Sequence, residues 1–173
     1  MRIKLTKDFH IDFFRKEIFL LLITLVIIGV IYFWISSGGT WHFGQESYYG
    51  DLADAILKGK INLLIEPKEP YLLDLSIYKG KYYLYWGIVP ALMFNIPARL
   101  ISNSKMPDAF SVLIYTYGTL LFSVGILYYL RRIFFKEVNF WILNISVITI
   151  GLGNISPYLL GFASGWPLSI YVD

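Results

Sequence analysis

Long stretches without a single charged side chain constrain this chain more than anything else in it. Ile18 to Ile35 reads IFLLLITLVIIGVIYFWI, Ala109 to Leu130 carries no Asp, Glu, Lys or Arg, and from Val138 no charge appears until Asp173. At 1.5 Å per residue the first run spans roughly 27 Å as a helix, close to a bilayer hydrocarbon core of about 30 Å. It exceeds the roughly 7–15 residues of a signal-peptide core, and it ends on Tyr32, Phe33 and Trp34, an aromatic belt suited to the membrane interface. It therefore reads as an anchor, although Ser36-Ser37-Gly38 offers the small residues of a cleavage site. A further run, Tyr82 to Ala98, carries Pro90 and Pro97. Since proline removes a backbone donor and kinks a helix, this run reads as a kinked span extending to about Ile101. The last run reads as a span to about Ile155. Beyond Asn154 and Pro157 it breaks up at Gly161, Gly165 and Pro167, as a loop, a re-entrant segment or the start of another span.

The expected fold is therefore all-α, a polytopic membrane protein with about four spans. A tail over 1–17 precedes the first helix, 18–35; a polar segment covers 36–81; spans two to four and a hydrophobic end fill 82–173. Composition agrees, because the chain is 57% hydrophobic and 16% charged, against about 45–50% and about 25% in soluble domains. Cysteine is absent, which excludes disulfides and thiolate sites. A net charge of +3 without a dense basic run excludes a nucleic-acid phosphate track.

Lys and Arg near span ends favour the cytoplasm. Arg2, Lys4, Lys7, Arg15 and Lys16 precede the first span, so the N-terminus is placed in the cytoplasm and 36–81 outside. Four spans then put Arg131, Arg132 and Lys136 outside as well, against the tendency. Either the first flank dominates or the proline-rich second run does not cross.

The polar segment contains a short amphipathic helix over 47–58. Tyr49, Leu52, Ala53 and Ile56 recur at i, i+3, i+4 and i+7 and share one face. Ser47 suits the N-cap and Gly59 the residue just past the end. Asp51, Asp54 and Lys58 lie on the other side, where Asp54 and Lys58 are spaced to pair. Pro67, Pro70 and the stretch to Leu75 read as an extended return to the bilayer.

Candidate chemistry is confined to this segment. His10 and His42 are isolated, His42 reading as an interfacial aromatic beside Trp41 and Phe43, so no metal cluster or catalytic triad is expected. Glu46, Asp51 and Asp54 are carboxylates that could act as a general base or bind a divalent cation, the one cofactor this group could take. Asp51 and Asp54 read first as a solvated helix face. Glu46 stands where the helix dipole favours an anion, as a cap or as a base. Lys79 and Lys81 flank Gly80, where cations bind lipid phosphates or anchor the chain by snorkelling.

The order of these features resembles the start of GT-C glycosyltransferases, polytopic enzymes that take sugars from polyprenyl-phosphate carriers and include protein mannosyltransferases and aminoarabinose transferases. The resemblance rests on Gln45-Glu46-Ser47-Tyr48-Tyr49-Gly50-Asp51-Leu52-Ala53-Asp54-Ala55-Ile56-Leu57-Lys58-Gly59, and on Ile77 through Leu92, IYKGKYYLYWGIVPAL. It implies a multi-pass cell-membrane transferase with a polyprenyl-phosphate-sugar donor and an extracytoplasmic acceptor. By the same resemblance, Glu46 or Asp51 is the catalytic carboxylate, and Lys79 and Lys81 meet the lipid phosphate. Where many members have Asp-Glu this chain has Gln45-Glu46. Members also run to several hundred residues, so the chain looks like the N-terminal part of such an enzyme, completed by a companion membrane segment or subunit. The competing expectation is a small non-enzymatic membrane protein, a scaffold or an inactive remnant.

Overall fold

The computed structural model describes residues 3–44, 47–64, 75–85 and 87–163, with side chains from residue 16 onward. In chain order the elements are α1 (Ile3–Ser36), α2 (Tyr48–Leu57), strands β1 (Leu75–Tyr78) and β2 (Lys81–Leu84), a π-helical turn (Ala91–Asn95), α3 (Ile96–Ser102), α4 (Asp108–Phe134), α5 (Phe140–Leu152) and α6 (Ser156–Ala163). The chain forms two compact units, one from residues 1–41 and 113–173, the other from residues 42–112.

Among the described residues, three helical segments are long and apolar enough to cross a membrane: Lys16–Ser36, Asp108–Phe134 and Phe140–Ala163, with mean hydropathies of 2.9, 1.8 and 1.5. In the first unit they pack through small, specific contacts. The buried stripe of α1 is Leu25, Ile28, Tyr32 and Ser36, a helical spacing that keeps one face inward. Gly151 of α5 lies against Ile28 so closely that a Cβ there would sit 2.9 Å from Ile28 Cδ1. Tyr32 Oη donates to Gly151 O at 2.5 Å, and Tyr117 Oη of α4 donates to Leu25 O at 3.1 Å. At the N-terminal end of the apolar part of α1, Arg131 Nη1 meets Glu17 Oε2 at 3.4 Å. That pair sets the start of the α1 span level with the end of α4, so the two helices run antiparallel.

The outer faces of these helices are greasy. Phe19 is 64% exposed, Val26 61%, Phe122 80% and Ile145 62%. A water-soluble surface rarely carries so large a continuous apolar patch, whereas lipid tails are as apolar as these side chains. At Gly153–Ile155 the last segment breaks into α5 and α6. Gly153 caps α5, Asn154 Oδ1 accepts the Ser156 N–H at 2.7 Å, and Pro157 follows in the first turn of α6. The expected break after Asn154 thus produces a short helix; residues 164–173 lie outside the described residues.

The second apolar run departs from its expectation. Its first residues, Tyr82 to Leu84, are not helical but pair with Leu75–Ile77 as an antiparallel hairpin. The helical part is short, Ala91–Ser102, at about 1.5 Å per residue far less than a bilayer core. Pro97 supplies no N–H to close an α-turn, and the preceding turn widens so that the Ile96 N–H reaches Ala91 O. In the second unit this helix packs on α2 and the hairpin, around Leu52, Ala53, Leu63 and Ala91. The Leu63 N–H donates to Tyr82 O at 2.9 Å and ties the chain after α2 to β2.

Candidate functional site

The second unit is organised around both ends of α2. Ser47 is its N-cap, in extended backbone at φ −154°, and its Oγ accepts the Gly50 N–H at 3.0 Å. Two more of the donors that every helix leaves unmet at its start are taken by Asp108. Its Oδ2 accepts the Tyr48 N–H at 2.6 Å and its Oδ1 the Tyr49 N–H at 3.3 Å. A carboxylate there is also favoured by the helix dipole. Ser47 Oγ donates in turn to Met106 O at 2.5 Å, and Asn95 Oδ1 accepts the Met106 N–H at 2.8 Å. Ser47 and the fully buried Asn95 therefore hold the Met106 backbone from both sides and fix the approach to α4. At the other end, Gly59 is left-handed at φ +70°. The Gly59 N–H donates to Ile56 O and the Lys60 N–H to Ala55 O, the paired bonds of a Schellman ending.

The polar face of α2 is not the solvated face that its pattern suggested. Arg99 of α3 grips Asp54 with two parallel bonds, Nε to Oδ1 and Nη2 to Oδ2, both 2.7 Å, and gives Nη1 to Asn103 O. Lys105 Nζ is paired with Asp51 and stands 3.3 Å from Asp54 Oδ2. Asp54 is thus paired to Arg99 and Lys105 rather than to Lys58, which is exposed. Partial burial pushes the Asp54 carboxyl upward, but the hydrogen bonds and charges of Arg99 and Lys105 outweigh it and hold the group below the usual carboxylate value. Burial likewise pushes Lys105 down, and its contacts with Asp51 and Asp54 outweigh that and raise it. Arg99 is raised chiefly by its bond to Asp54. The cluster is a charge-locked clamp joining α2, α3 and the chain before α4.

Lys79 and Lys81 sit at the hairpin. Lys79 at φ +49° and Gly80 at φ +69° form the two-residue connection, both left-handed as a type I′ turn requires. Lys81 opens β2. Both lysines are exposed, and Lys79 Nζ lies 5.2 Å from the Tyr78 ring centre. Leu75, Tyr82 and Leu84 pack toward Leu52 and Ala53, so the hairpin is held by its apolar side while its tip presents the cations.

Of the expected site residues, Asp51 lies in the clamp and Lys79 and Lys81 on the hairpin tip, while Glu46 lies outside the described residues. Among the described residues no three of His, Cys, Asp and Glu come together where they could hold a metal ion. The residues that sequence reasoning missed are Asn95, Arg99, Lys105 and Asp108. Arg99 carried one signal: it is the single charge between Tyr82 and Ile101, and a cation in so apolar a run calls for a nearby anion. Asp108 carried another, an acid at the first position of a long helix. No protein-family model matches the sequence, and neither a curated protein nor a solved structure matches it.

Proposed function

We propose that the chain is a membrane glycosyltransferase component of the GT-C type. In this reading it crosses the membrane three times, with its N-terminus in the cytoplasm and the segment between α1 and α4 outside. The three crossings are α1 from Lys16, α4, and α5 with α6. Arg131, Arg132 and Lys136 then lie on the cytoplasmic side together with Arg15 and Lys16, and the conflict created by four spans disappears. The Glu17–Arg131 pair supports this arrangement, because it sets those two basic flanks at one level. The Ala91–Ser102 helix belongs to the outer segment, where it braces α2.

The observation that carries the enzymatic reading is the build of that segment: an acid-bearing helix capped at Ser47, packed on a hairpin whose tip exposes Lys79 and Lys81. Glu46 would deprotonate the acceptor hydroxyl as it attacks the anomeric carbon, with Asp51 as the second candidate. The polyprenyl phosphate would leave with its charge met by Lys79 and Lys81. A scaffold reading is favoured by one observation, the commitment of Asp51 and Asp54 to Lys105 and Arg99.

Deleting the gene and restoring it separates the two. Membranes lacking the protein should lose transfer from a radiolabelled polyprenyl-phosphate sugar, the unmodified gene should restore it, and Glu46→Gln should not, a general base contributing about 10²–10⁴-fold. Transfer unaffected by deletion would leave the scaffold reading.

A further inference from the structure

At its end near Arg131 the first unit carries a groove that the proposed chemistry does not use. It opens between the end of α4 and the start of α5 as a cavity of about 150 Å³, lined by Leu127, Leu130, Phe135, Ile142 and Leu143, with Arg131 as its one charged wall. The groove is open on one side and its lining is almost wholly apolar, which suits an apolar guest. The charge around it has one sign in excess: Arg131, Arg132 and Lys136 of the same stretch of chain stand against Glu137 and against Glu17, which reaches Arg131, a balance of +1. Arg132 and Lys136 are exposed, and Arg131 meets Glu17 only through Nη1 at 3.4 Å. An apolar slot walled by a guanidinium, between helices that face lipid, suits a molecule with a hydrocarbon chain and an anionic head.

We infer that this groove seats an acidic phospholipid of the cytoplasmic leaflet, its acyl chain between α4 and α5 and its phosphate at Arg131. Arg131 supplies the planar, multidentate donor set that phosphate oxygens match. Arg132 and Lys136 strengthen the attraction to an anionic surface, each by a factor of about five. A phosphocholine lipid offers the same chain without net negative charge, and glycerol phosphate offers the anion without the chain; neither satisfies both halves of the site. The inference rests on the three-span reading, which alone places this end of α4 in the inner leaflet.

The test is native mass spectrometry of the purified chain in detergent, titrated separately with phosphatidylglycerol, phosphatidylcholine and glycerol phosphate. Phosphatidylglycerol should be retained at least ten-fold better than phosphatidylcholine, and glycerol phosphate should not be retained. Arg132→Ala combined with Lys136→Ala should remove most of that preference. Ser146→Phe, which fills the groove from α5 without changing charge, should weaken both lipids. Circular dichroism of each variant checks that it is folded. Equal retention of the two lipids, a preference untouched in the folded Arg132/Lys136 double variant, or retention untouched in the folded Ser146→Phe variant would overturn the inference. Extraction of the protein from membranes by alkaline carbonate would instead overturn the membrane reading beneath it.

Discussion

Gly50 occupies a position in α2 that admits no side chain without moving its neighbours. A Cβ there would lie 2.6 Å from Ser47 Oγ and 3.0 Å from Lys105 Cβ, so Gly50→Ala strikes the cap and the clamp together. The expected loss is about 1–3 kcal/mol, the combined scale of a lost N-cap and an overpacked core. Thermal unfolding in detergent reads it, with Gly118→Ala as the contrast, since nothing lies within 4 Å of a Cβ at Gly118; that variant should be as stable as the parent or slightly more so. Asp54 makes a second residue-scale prediction. Its pKa is depressed from 3.8, so its stabilising contribution is full above that value and is lost as pH falls through the lower folded-state value. Asp54→Asn should therefore lower stability at pH 7, by about 1 kcal/mol or less for a partly exposed pair, and the gap to the parent should close as pH falls through that lowered value. A constant gap down to pH 2 would show that the Arg99 pair is not its source. Lys79→Asn keeps the left-handed turn, which Asn-Gly favours, while removing the charge. If Lys79 meets the carrier phosphate, the KM for the lipid-linked donor rises with kcat little changed. Ser47 and Gly59 were legible because caps are local chemistry. Asn95, Arg99, Lys105 and Asp108 were not, because their partners stand 11 to 61 residues away and no periodicity records a pairing at that range.

The helices of the first unit hold together by close approach rather than by bulk. Gly151 against Ile28, Gly29 against Tyr117, and the Tyr32 and Tyr117 hydroxyls on backbone carbonyls are its specific contacts, the small-residue packing expected where lipid removes any hydrophobic drive between helices. Gly151→Val should push α5 off α1 and lower both the thermal midpoint and the steady-state amount in membranes. Tyr32→Phe should cost only about 0.6 kcal/mol, the mean for an interhelical hydrogen bond in a membrane protein. A larger loss for Tyr32→Phe than for Gly151→Val would invert that account. The apolar runs of α1, α4 and α5 were readable as helices because length and absence of charge suffice. The run from Tyr82 was misread because those two signals cannot separate a span from a strand followed by a short helix. Tyr82-Tyr83-Leu84 is strand-favouring and Lys79-Gly80 is a turn signal, yet the strand exists only because Leu75–Tyr78 pairs with it. Counting that run as a crossing created the charge conflict, which the proposed three-span reading avoids.

For the molecule as a whole, sidedness is the property from which the rest of the proposed function follows. In the proposed reading, three crossings would put the capped helix, the clamp and the hairpin lysines outside, and both basic flanks and the groove at Arg131 inside. Composition made the membrane legible, and the basic tail supplied an orientation. The fate of the second run required the hairpin and the short helix to be seen packed on α2. The chain has no cysteine, so single cysteines report sidedness without background. The decisive pair is Lys60→Cys and Lys136→Cys, both exposed positions, treated with a membrane-impermeant maleimide in intact cells and again after lysis. Three crossings with a cytoplasmic N-terminus predict labelling at position 60 in intact cells and at position 136 only after lysis. Labelling of both positions in intact cells would mean that the second run crosses after all and would contradict the account.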